Sequence, residues 1–90
     1  MGILTVAAAS FAPAASAFTF TPEQLADGEA YYGRDCSSCH GSPELVVERA
    51  PGDTILQKTV WMTPFLARHH APDQSTRTLI IGYLESVGSR

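Results

Sequence analysis

The chain has 90 residues, 44 % of them hydrophobic and 17 % charged, with a formal net charge of −3. That length allows one small domain. Six Lys and Arg against nine Asp and Glu, with no basic cluster, exclude a nucleic-acid or anionic-membrane surface built on positive charge.

The first seventeen residues stand apart from the rest. Ile3 to Ala12 is an apolar run of signal-peptide length, and Ala15-Ser16-Ala17 is a small-x-small cleavage site, although no Lys or Arg precedes the apolar run. The rival reading is an uncleaved N-terminal anchor. A spanning helix takes about 20 strongly apolar residues, whereas this stretch is rich in Ala and Ser and broken by Pro13. Residues 1–17 are therefore expected to be a removed signal peptide and residues 18–90 the working domain. All the charged residues lie in that domain.

Thr21-Pro22-Glu23-Gln24 reads as a helix start, with Thr21 as cap, Pro22 at the first helical position and Gln24 completing a capping box. This helix should run to about Gly33, with Leu25, Gly28 and Tyr32 on one packing stripe. Gly28 in mid-helix costs about 1 kcal/mol relative to alanine, so a close helix crossing is expected there.

Cys36-Ser37-Ser38-Cys39-His40 follows. Two thiols and an imidazole at this spacing read as a covalent attachment site for haem c. Each cysteine forms a thioether to a vinyl group, and the adjacent histidine reaches the iron. A thioredoxin-like pair would need a strand before it in a βαβ setting. A structural zinc site would need a second ligand pair, and a Cys36–Cys39 disulfide would close too small a loop to constrain the chain.

Gly41-Ser42-Pro43 breaks any continuation, and Glu44 to Arg49 is expected to form a short turn of helix whose Leu45 and Val46 cover the haem edge. After the turn Ala50-Pro51-Gly52-Asp53, helical spacing resumes with Asp53 as cap and Ile55, Leu56, Thr59, Val60 and Met62 in sequence. Pro64 disfavours helix at Thr63, so this helix should end at Trp61 or Met62 and leave Phe65 to Pro72, with the pair His69-His70, as a loop or one short turn. A last helix should begin at Asp73 or Ser75 and end at Gly88, with Leu79, Ile80, Tyr83, Leu84 and Val87 forming its apolar face.

Both ends of the domain resemble the class I (mitochondrial-type) cytochrome c family. In that family the N-terminal helix carries a glycine eight residues before the first cysteine and an aromatic four before it, positions held here by Gly28 and Tyr32. The C-terminal helix pattern is matched by Ile80-Ile81-Gly82-Tyr83-Leu84. The resemblance implies an all-α, cytochrome c-like fold, with three main helices around one covalently bound haem c and the Gly28 helix crossing the last helix. The middle departs from the family, because only 22 positions separate His40 from Met62. A middle this short implies a haem whose lower edge and propionates are more exposed than is usual in the family.

In the same family a methionine just before a proline supplies the distal ligand, which points to Met62 in Met62-Thr63-Pro64-Phe65. The competing reading of Met62 is a flexible core filler. His69 or His70 would instead give a bis-histidine haem of lower potential. On the proximal side, the second ring nitrogen of His40 should donate to a backbone carbonyl, for which the resemblance points to Pro51 and, failing that, Pro43. Trp61, Tyr31 and Tyr83 are candidate propionate partners, each with a plain packing role as the alternative.

The expected function is a periplasmic, non-enzymatic electron carrier whose iron cycles between Fe(II) and Fe(III), with redox proteins as donor and acceptor. Two other readings stay open: a haem subunit of a larger oxidoreductase, and a haem protein with an open sixth site acting as gas binder or peroxidase-like enzyme.

Overall fold

The computed structural model describes residues 19–90; the signal-peptide or anchor stretch lies outside the described residues. Five helices follow one another: α1 Pro22–Asp35, α2 Ser37–His40, α3 Pro43–Arg49, α4 Ile55–Ala67 and α5 Gln74–Gly88. Three are long and two short, and no strand occurs among the described residues. The architecture is all-α. No helix among them is long and apolar enough to cross a membrane.

α1 starts where its local chemistry requires. The Thr21 hydroxyl accepts from the Gln24 amide at 3.1 Å, and the Gln24 side chain accepts from the Thr21 amide at 2.9 Å. Pro22 has no N–H to satisfy, and two of the three remaining donors at the helix start are satisfied in this way. α4 opens with the same device, built from Thr54 and Gln57 rather than from Asp53. Asp53 and Thr54 are both capping residues, and the glutamine three positions after Thr54 decides between them. In α5, Asp73 caps as expected, accepting from the Thr76 amide at 2.9 Å and the Ser75 hydroxyl at 2.6 Å. Those donors, the Ser75 hydroxyl above all, hold its carboxyl down at about 2.

α5 is the hub and packs against α1, α3 and α4. Ile80 and Leu84 are its fully buried side chains, with Tyr83 and Val87 beside them. Burying each such aliphatic side chain contributes roughly 1.5–3 kcal/mol. Gly28 sits where α1 meets α5. A Cβ there would collide with the Leu79 carbonyl oxygen and stand 2.9 Å from the Tyr83 Cβ. The close crossing expected from the sequence is present.

α4 corrects one expectation, since it runs through Pro64 to Ala67 instead of ending at Trp61 or Met62. Proline removes one hydrogen bond, the one its N–H would have made to the Val60 carbonyl. Val60 is 64 % exposed, so the missing bond falls on the solvent-facing side of the helix rather than in the core. The Thr63 hydroxyl donates to the Thr59 carbonyl at 2.8 Å just before the break. Beyond it, Met62 and Leu66 are buried one turn apart, and their packing outweighs the missing bond. Met62 is therefore a helix residue, not a loop residue.

The end of α4 has a defined form. The Ala71 amide donates to the Leu66 carbonyl at 3.1 Å, and His70 between them adopts φ 70°. This six-residue closure around a left-handed residue is the outer of the two bonds that define a Schellman helix end. Buried Ala71 meets buried Leu66 in the core, the apolar contact that accompanies the motif. Glycine is the usual occupant of the left-handed position, although histidine is among the residues that tolerate it.

Candidate functional site

One cavity of about 650 Å³ opens between the attachment motif, α3 and α4. That volume suits a sizeable organic ligand. Cys36, Cys39 and His40 line it from one side, and Met62, His69 and His70 line it from α4 and its closing turn. Every residue proposed from the sequence as a haem anchor or iron ligand therefore faces this one space.

The motif is held by local bonds at each end. The Cys36 amide donates to the Tyr32 carbonyl at 2.8 Å and so continues α1 into the motif. The His40 and Gly41 amides close the single turn of α2 onto Cys36 and Ser37. The Tyr32 hydroxyl then spans the whole motif and donates to the Gly41 carbonyl at 2.9 Å. Tyr32 is 4 % exposed and its ring packs on Tyr83 at 5.9 Å between centroids. The phenol is thus a clamp anchored in the α1–α5 interface, and burial pushes its acidity down by raising its pKa. Sequence spacing singled out this aromatic but not the task of its hydroxyl.

Cys36 is partly buried, and burial, reinforced by the Asp35 carboxylate, pushes its thiol up from the ordinary value. A thiol built for disulfide exchange has the opposite shift. Together with the absence of strands among the described residues, this disfavours a thioredoxin-like role.

α4 presents two kinds of wall to the cavity. Met62 is 3 % exposed and belongs to the core cluster, and it also lines the cavity. Trp61, Phe65 and His69 form a second row at spacings of four. The Trp61 and Phe65 rings stack at 4.7 Å, as do Phe65 and His69. The His69 ring centroid stands 6.0 Å from that of His40, and His70 meets His69 edge-on at 4.8 Å. The ladder depends on α4 continuing past Met62, since its last two rungs fall in the stretch expected to be a loop or one short turn.

Of the secondary candidates, Leu45, Val46, Pro51 and Trp61 line the cavity, whereas Pro43, Tyr31 and Tyr83 do not. The Tyr31 ring lies instead under the Arg34 guanidinium at 4.8 Å. The loop bearing Pro51 is pinned by Lys58, whose ammonium donates to the Ala50 carbonyl at 2.7 Å and to the Glu48 carbonyl at 3.2 Å.

Two arginines, Arg34 and Arg49, also line the cavity, and neither was singled out from the sequence. Asp35 is the sole carboxylate in the lining, and Arg34 pairs with it at 2.7 Å, holding its carboxyl below the usual range. Arg49 forms no ion pair among the described residues. In a chain of net charge −3, the cavity rim is biased towards positive charge and suits a ligand with apolar body and anionic edge. Two thiols, an imidazole and a thioether around apolar walls, with two guanidinium groups at the rim, form a donor set that fits a haem.

Comparison with protein-family models, curated proteins and solved structures gives no match.

Proposed function

We propose that the chain is an exported electron-transfer protein carrying one haem c, bound through Cys36 and Cys39, with His40 on one side of the iron and Met62 on the other. The observation that carries this reading is the single cavity whose lining includes all four of these donors together with Arg34 and Arg49. When bound, the haem supplies a one-electron Fe(II)/Fe(III) couple.

The protein's residues have separate tasks in this reading. Cys36 and Cys39 fix the group covalently, and the Tyr32 clamp fixes the orientation of the turn that carries His40. The Met62 thioether is a soft, neutral donor that favours the reduced state and raises the potential. Leu45, Val46 and Phe65 exclude water from the apolar face, and Arg34 and Arg49 offset the negative charge of the propionates. The cytochrome c-like fold is the finer form of the all-helical architecture, supported by the Gly28 crossing and the Tyr32–Tyr83 contact. Attachment to C-x-x-C-H takes place after export, so in a bacterium this reading assigns the protein to the periplasm, where redox proteins acting as donor and acceptor would dock through small, transient contacts. An enzyme or gas binder would keep one iron position open, and Met62 on α4, lining the same cavity as His40, argues against that.

The test is maturation of the exported chain in a host with haem-attachment machinery. One haem per chain should survive acid-acetone extraction, and Cys36→Ala/Cys39→Ala should lose it. The oxidised protein should show the weak long-wavelength charge-transfer band of methionine ligation, and Met62→Leu should lose it. A chain exported without covalent haem refutes the proposal.

A further inference from the structure

We propose that His69 is a second distal ligand of this chain, able to take the iron position opposite His40 whenever Met62 leaves it. The inference rests on the haem reading and adds a residue that reading does not use. Its basis is geometric. Two imidazoles bound on opposite sides of one metal, at about 2 Å from metal to nitrogen and with each ring centroid about 1 Å further out, stand about 6 Å apart. The His40 and His69 centroids stand 6.0 Å apart, and both rings line the same cavity.

The position of His69 is built, not incidental. Its ring is stacked on Phe65 at 4.7 Å with 29° between the planes, and Phe65 is backed by Trp61. Its backbone is tied by the amide bond to Leu66 at 3.0 Å, within the closing turn that His70 completes at φ 70°. Met62 on α4 and His69 in the turn that closes it both line the cavity. His70, by contrast, is an exposed neighbour placed edge-on to His69, and it serves the turn.

The consequence is an iron that stays closed when its thioether is displaced. The experiment uses the full chain matured with its haem and reads the spin state by visible absorption and electron paramagnetic resonance. Met62→Leu conserves core volume and removes the sulfur. It should lose the charge-transfer band yet remain low-spin with a bis-imidazole spectrum. Adding His69→Phe, which preserves the stacking on Phe65, should convert the iron to high-spin and open it to rapid carbon monoxide binding. Adding His70→Ala in place of His69→Phe should leave it low-spin. A high-spin Met62→Leu protein overturns the proposal, and so does a low-spin state that His69→Phe does not disturb. Absence of covalent haem from the unmutated chain overturns the haem reading itself, an outcome separate from these two. Far-UV dichroism and urea titration on each variant show whether the fold is retained.

Discussion

Tyr32 joins the α1–α5 interface to the attachment motif, its ring against Tyr83 and its hydroxyl on the Gly41 carbonyl. Its spacing from Cys36 marked it as an aromatic of the packing stripe, and it is buried against Tyr83. The hydroxyl's partner, the Gly41 carbonyl, was invisible in sequence because it depends on how α2 turns back after one turn. A bond of this kind contributes about 1 kcal/mol net. Tyr32→Phe in the haem-bearing chain should therefore lower stability by about 1 kcal/mol in urea titration, without a change in helix content. A loss of helix on that substitution would mean that the hydroxyl holds more than the motif. Arg49 was missed for a related reason. At the end of a short helix it reads as a solvated charge, and only the cavity beside it gives it a task.

Element boundaries were legible where chemistry is local and obscure where packing decides. Thr21 with Gln24, and Asp73 before α5, announce helices through hydrogen bonds made within four residues. The extension of α4 through Pro64 depends on what Met62 and Leu66 meet across the core, which no window of sequence contains. The contact of α1 with α5 lies between these cases, since Gly28 signals a close approach but not its partner. The two glycines of α1 make a paired test. At Gly28 a methyl would meet α5 backbone at Leu79, and overpacking of that kind costs typically 1–3 kcal/mol. At Gly33 a Cβ would meet nothing within 4 Å, so alanine should bring its helix preference of up to about 1 kcal/mol. Gly28→Ala should lower the urea midpoint and Gly33→Ala should raise it. Equal and positive shifts at both would show that α1 can withdraw from α5 at little cost.

At the scale of the molecule, the core and the cavity compete for the same few side chains. Among the described residues, nine buried hydrophobic side chains form the core, in a size range where one core rarely supplies more than about 3–5 kcal/mol. Around the 650 Å³ cavity, Leu45 and Trp61 remain 41 % and 42 % exposed, which is apolar surface left in contact with water. A porphyrin seated there would remove a few hundred Å² of apolar area, worth on the order of 5–10 kcal/mol at about 25 cal/mol/Å² as an upper bound. That contribution exceeds what the small core supplies, so folding and cofactor attachment should be coupled. The expected outcome is that Cys36→Ala/Cys39→Ala, which cannot hold the group covalently, loses most of its far-UV helical signal and its cooperative urea transition. Retention of both at the level of the haem-bearing chain would mean that the α1–α5 crossing, with Ile80 and Leu84 behind it, is sufficient by itself. The haem would then be a passenger on a finished fold, and the Tyr32 clamp, being complete before attachment, would be what presents the two thiols.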